Sequence, residues 1–337
     1  MSGFDFELYF QFQKAMESRE SDPDEAIRML TKIREQAIER KNYEWRLIAD
    51  HWQTQVNIAW KKDYNAANRL AVEAAIESRQ PQYREFREYI CVQNDLLLVY
   101  KGIDPVGYAP EIKEALDLTI NMTTPDMACH YCLNRGLIDY HRFIGEDKTA
   151  REQTAKFFAM TYQEPHYRIQ AYEQMALFAY EDQSWEDLLS LAQQGAILAG
   201  EQKDEAAWIG LKSYEMIALY HLGKVDEAQK AHDLVNYRVS TLKMVQGHTY
   251  FTTMSEYQEV QGNLQAALQI IDDYILTLQN TGRPYWECKA TLERIRLLKA
   301  LGEDYMADVG KFRQIADTLK ASSQFDSQVT EIINSKK

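Results

Sequence analysis

Turn-forming residues are scarce in this sequence: 14 Gly and 7 Pro among 337 residues leave little material for the tight connections a strand-rich fold requires. Cysteine is scarcer still. Cys91, Cys129, Cys132 and Cys288 are the whole complement, too few for a disulfide framework and suited to buried thiols in a reducing compartment. The longest apolar run, Leu96 to Tyr100, falls far short of the roughly 20 residues that span a bilayer, so no membrane partner is expected. Positive charge is in deficit, with 38 Lys and Arg against 51 Asp and Glu for a net charge of −13. Such a field repels a phosphate backbone, and nucleic acid is not an expected partner. The opening residues Met1 to Tyr9 mix acids with aromatics and carry neither a basic leader nor an apolar stretch; no secretory signal is read, and a cytoplasmic location is expected.

What the chain has in quantity is helix-forming, amphipathic sequence, 45% of it hydrophobic, punctuated by a phrase that returns. A polar or Gly-containing turn is followed by a bulky residue, two polar positions and a small residue that opens a helix. It reads Ser21 to Ile27, Lys62 to Asn68, Gly145 to Arg151, Gln183 to Leu189, Gly223 to Gln229, Gly262 to Leu268 and Gly302 to Asp308, with a weaker copy from Pro110 to Leu116. Taking the small residue as marker gives Ala26, Ala67, Ala115, Ala150, Leu188, Ala228, Ala267 and Ala307, spaced 41, 48, 35, 38, 40, 39 and 40. The uneven pair sums to about two ordinary periods, which assigns the irregularity to the loop Gly102 to Ala109, with Pro105, Gly107 and Pro110 around it. Alanine suits the marker because a larger side chain would push two crossing helices beyond their usual separation of about 8–10 Å.

Between markers each unit divides into two helices. In the sixth, helix A is expected from about Asp204 to Leu222 and helix B from about Val225 to Leu242, with Gly223 as the left-handed residue that ends helix A. Aromatic-rich A helices are expected from Glu44 to Lys61 and Tyr167 to Tyr180. A period near 40 residues with two helices per period predicts an all-α repeat stack, because one hairpin cannot bury its own apolar faces. Phe4, Phe6, Leu8, Tyr9, Phe10 and Phe12 are expected to pack under the first hairpin, and Ser322 to Ile333 to form a polar closing helix before Ser335, Lys336 and Lys337. The expected division is a solenoid over 1–320 and a capping helix and tail over 321–337.

The Gly-x-aromatic-x-x-Ala phrase and the hairpin period resemble the tetratricopeptide repeat (TPR) family over roughly residues 4 to 320, in a variety with longer units than the usual 34. The resemblance implies a right-handed α-solenoid of about eight antiparallel hairpins, a TPR-like superhelix whose concave wall is lined by A helices. It further implies a protein or peptide partner, no catalysis and no cofactor. Counting back from each marker as the TPR pattern would, the wall positions are Arg135, Asp139, Arg142, Tyr180, Tyr220, Glu256 and Arg296. Arg135 and Arg142 would form a carboxylate or phosphate clamp, since guanidinium forks suit planar anions. A second reading within the resemblance is a peptide-gated regulatory sensor.

Other chemistry finds little support. Cys129-x-x-Cys132 has the spacing of a zinc half-site or a dithiol, but no second ligand pair exists, and the motif follows Thr124-Pro125-Asp126, a helix start instead of a strand end. Two small thiols facing the neighbouring hairpin are the expectation, with no metal and no redox role. Phosphate-cradling glycine loops and nucleophile elbows are missing. The seven histidines are scattered, and the acidic stretch Glu181 to Glu205 reads as a solvated face open to a basic partner.

Overall fold

The computed structural model describes residues 5–124, 127–242 and 247–334. Phe4, the expected helix start at Pro125 and Asp126, and the tail from Ser335 lie outside them. Among the described residues there are helices and no strands. The A helices are α1 (Phe6–Ser18), α3 (Tyr43–Val56, extended by a π-helical turn Asn57–Lys61), α5 (Glu88–Ile103), α7 (Ala128–Phe143), α9 (Pro165–Glu181), α11 (Glu205–His221), α13 (His248–Val260) and α15 (Pro284–Leu301). The B helices are α2 (Pro23–Glu39), α4 (Tyr64–Ser78), α6 (Ala109–Thr119), α8 (Asp147–Met160), α10 (Trp185–Gln202), α12 (Val225–Leu242), α14 (Leu264–Thr281) and α16 (Met306–Ala316); α17 (Gln324–Asn334) closes the chain. Among the described residues, A and B helices alternate along the chain in the order expected from the repeat.

The turns explain why the helices stop and restart where they do. Asp22, Asn42, Asp63 and Asp204 each accept a hydrogen bond from the amide three residues on, capping α2, α3, α4 and α11. Gly223 has φ +75, as expected, and the corresponding turns at Lys41, Lys62, Gln183 and Lys203 adopt positive φ without glycine.

The marker is better defined by the structure than by the phrase. The fourth residue of every B helix is buried: Ala26, Ala67, Ile112, Ala150, Leu188, Ala228, Ala267 and Val309. Ile112 therefore replaces Ala115 in the repeat, and Val309 replaces Ala307, which is exposed. The corrected spacings are 41, 45, 38, 38, 40, 39 and 42, with much of the irregularity gone. At a 0% exposed alanine of this set, added carbon has nowhere to go. Ala228→Leu is expected to cost about 2 kcal/mol in chemical denaturation by overpacking; an unchanged midpoint would show that the crossing has slack.

The chain separates into two compact units: residues 1–144 with 279–286 and 319–321, and residues 145–278 with 287–318 and 322–337. In the first unit consecutive helices pack from α1 to α7, and A helices also touch the next A helix, α3 with α5 and α5 with α7. One core holds Leu8, Leu30, Ile33, Trp45 and Val56; a second holds Leu47, Tyr83, Ile90, Val99, Leu116 and Leu133. α1 is itself the A helix of the first hairpin, not a cap beneath it. Its Leu8 is buried, Phe12 meets Trp45 and Trp52 edge-on, and Phe6 and Phe10 face outward. In the second unit α9 to α12 pack consecutively, α11 also packs on α13, and Leu188, Leu211, Met216, Ile217, Val235 and Tyr257 share a core.

The first unit also contains contacts that a nearest-neighbour stack would lack. The Trp286 indole donates to the Lys101 carbonyl at 2.9 Å, and Phe143 meets Tyr285 and Trp286 edge-on. Buried Asp104 accepts from the amides of Gly107 (2.9 Å), Lys320 (2.8 Å) and Ala321 (3.4 Å). The Lys320 ammonium pairs with Glu111 at 2.6 Å and lies 3.9 Å from the centre of the Tyr108 ring, which stacks on Tyr100.

Candidate binding site on the A helices

Polar side chains on the A helices meet partners about one repeat away. In the first unit Lys101 on α5 pairs with Asp139 on α7 at 2.6 Å, 38 residues apart. The close approach is set by Gly136, where a Cβ would lie 2.4 Å from a Leu97 methyl. Asp139 is 7% exposed, buried by this ion pair and not standing open on a wall. Arg135, one turn earlier on α7, is half-buried, and its Nε has no hydrogen-bond partner; the Oδ1 of Asp139 is likewise unsatisfied. Burial pushes the Lys101 ammonium below its ordinary range, against the pull of Asp139, and the charges of Arg135 and Arg142 push the same way. The structure thus gathers Arg135, Asp139 and Arg142 around a residue that counting along α7 did not nominate, Lys101. Lys101, Arg135 and Arg142 therefore act on one another around the single carboxylate of Asp139.

Further along α3 and α5, His51 Nδ1 lies 3.0 Å from Asp95, whose other oxygen accepts from Gln55 at 2.7 Å. Burial alone would lower the His51 pKa, but the Asp95 carboxylate outweighs it and holds the imidazole above its usual value. Asp50 receives Arg34 at 2.6 Å, and Arg46 bonds Glu77 and, at 3.0 Å, the Tyr83 hydroxyl.

The other nominated residues lie in the second unit and form a separate row. The Tyr180 hydroxyl donates to Glu256, which also meets His221 at 3.1 Å; His221 stacks on Trp185 at 3.9 Å. Burial and the neighbouring carboxylate raise the Tyr180 phenol well above its ordinary range. Tyr220 donates to the Val260 carbonyl at 2.9 Å. Arg296 is clamped between Glu259 and Glu293, which hold its guanidinium firmly protonated. Tyr180 and Glu256 therefore meet directly, whereas Tyr220 and Arg296 have their own partners. The acidic stretch is partly consumed internally: Asp182 pairs with Arg151, Glu205 with Arg238, and Asp204 caps α11.

Among the described residues no helix is long and apolar enough to cross a membrane, and no group of three or more His, Cys, Asp or Glu is arranged for a metal ion. Surface hollows among the described residues of the second unit include one of about 460 Å³ between Arg151, Met175, Phe178 and Asp187 and one of about 380 Å³ between Tyr162, Arg168, Gln194 and Ile197.

The helices define the class: an all-α protein in which pairs of helices recur about every 40 residues. No protein-family model matches the chain, and no curated protein matches it by sequence. Among solved structures it is similar to nearly identical TPR-like repeats of a Podosopora anserina protein described as a kinesin light chain. That likeness has 13% identity and a TM-score of 0.44, over 59% of this chain and 96% of the other.

Proposed function

We propose that the chain is a non-catalytic, cytoplasmic scaffold that holds a protein or peptide segment against its A helices, with a carboxylate of that segment seated at Arg135 and Arg142. The observation that carries the reading is the cationic neighbourhood of α5 and α7, where Lys101, Arg135 and Arg142 gather around one buried carboxylate. A guanidinium fork is suited to a planar carboxylate, and a charge-assisted bond there is stronger than a neutral one.

The test is a panel of short peptides carrying either a free C-terminal carboxylate or an amide, selected against the full chain. Free-carboxylate peptides are expected to be enriched. Arg135→Ala combined with Arg142→Ala is expected to weaken their binding by about 10- to 100-fold, the worth of one or two charge-assisted hydrogen bonds, without lowering Tm. Equal recovery of amidated peptides, or unchanged affinity in the double variant, would reject the clamp.

A further inference from the structure

The four cysteines are all thiols, and two of them are neighbours that the sequence did not pair. Cys91 on α5 and Cys129 on α7 stand with their sulfurs 3.4 Å apart, 38 residues and one repeat from each other. The Cys-x-x-Cys spacing pointed instead to Cys132, one turn along α7. We propose that Cys91 and Cys129 are an oxidisable dithiol, a modification site where Cys129 attacks a hydroperoxide and Cys91 resolves the product into a disulfide joining α5 to α7.

The surroundings divide the labour between the two sulfurs. Cys129 shares a hydrogen bond with the Cys91 thiol, and the positive charges of Arg87 and of His51, which Asp95 holds in place, act on it as well; together these lower its pKa to about 6. Cys91 is pushed the other way, by its bond to Cys129 and by burial, and keeps its proton. A thiolate beside a protonated thiol is the arrangement that attack and resolution require. Arg87 is exposed at the start of α5 and Cys91 is half-buried, whereas Cys129 is buried, so an oxidant that reaches Cys129 has to be small. Glu88 and Cys132 are the other titratable groups that act on this cluster.

In the first step the Cys129 thiolate attacks the peroxide, an S–O bond forms as the O–O bond breaks, and the leaving alkoxide or hydroxide takes a proton from water. Sulfur loses two electrons and the peroxide gains them. In the second, Cys91 gives up its proton as its sulfur attacks the Cys129 sulfenic acid; the S–O bond breaks, and the hydroxide leaves with that proton as water. The sulfurs need to close from 3.4 Å to about 2.05 Å.

The experiment treats the native full chain with stoichiometric hydrogen peroxide and maps its peptides without reduction. The expected result is a loss of about 2 Da, two hydrogens, and a cross-linked species containing Cys91 and Cys129. Cys91→Ser is expected to abolish the cross-link and accumulate a sulfenic acid on Cys129, trapped by dimedone. Cys132→Ser is expected to leave the cross-link intact. A bond between Cys129 and Cys132, or wild-type thiols that all survive until the chain is denatured, would overturn the proposal, and neither result depends on a variant folding.

Discussion

Asp104→Ala is expected to cost about 4 kcal/mol of stability, because a buried carboxylate that satisfies several amides leaves each of them unpaired when it is removed. The side chain is 1% exposed and accepts from Gly107, Lys320 and Ala321, so the loop 104–108 and the segment 319–321 lose a shared acceptor together. Asp104→Asn keeps one acceptor oxygen and is expected to lose about half as much. Urea denaturation of the three proteins checks both values. A cost below about 1 kcal/mol for the alanine variant would mean that water replaces the carboxylate, and that the contact between these segments is incidental.

His51→Leu is expected to cost about 3 kcal/mol near pH 6, since it strips the nearly inaccessible Asp95 of its cation and leaves only Gln55 beside it. The pH dependence has a definite sign. His51 titrates higher in the folded chain than its ordinary value of 6.5, so its contribution is full below 6.5 and disappears as the pH rises through the folded value. The gap between the two proteins should therefore be widest below pH 6.5 and narrow as the pH rises through the folded value. A gap that does not change with pH would show that His51 acts through packing alone.

Most of the architecture was legible because a repeat writes the same physical demand many times. The hairpins, Gly223 at its left-handed turn and the limits of α11 and α12 were all readable from the phrase and its spacing. The phrase failed where composition mimicked it: Ala115 and Ala307 are small residues near a turn, but Ile112 and Val309 occupy the crossing positions, because α6 and α16 start earlier or later than their alanines suggest. Only one face of each A helix was considered, so Arg135 and Arg142 were visible and Lys101 was not. Comparing the sequence with itself one period away would have found it. Lys101 with Asp139 and Cys91 with Cys129 are both offset by 38 residues, and His221 with Glu256 by 35. Contacts such as Asp104 with Lys320, 216 residues apart, obey no such offset and leave no periodic trace.

Those distant contacts bear on how the chain is made. A ribosome delivers α1 to α7 long before it releases residues 279–286 and 319–321, so the Lys101 carbonyl and the Asp104 carboxylate emerge without their eventual donors. At about 5–20 residues per second, the nascent amino-terminal hairpins wait many seconds half-finished, and it is during translation, more than afterwards, that this protein would depend on a chaperone.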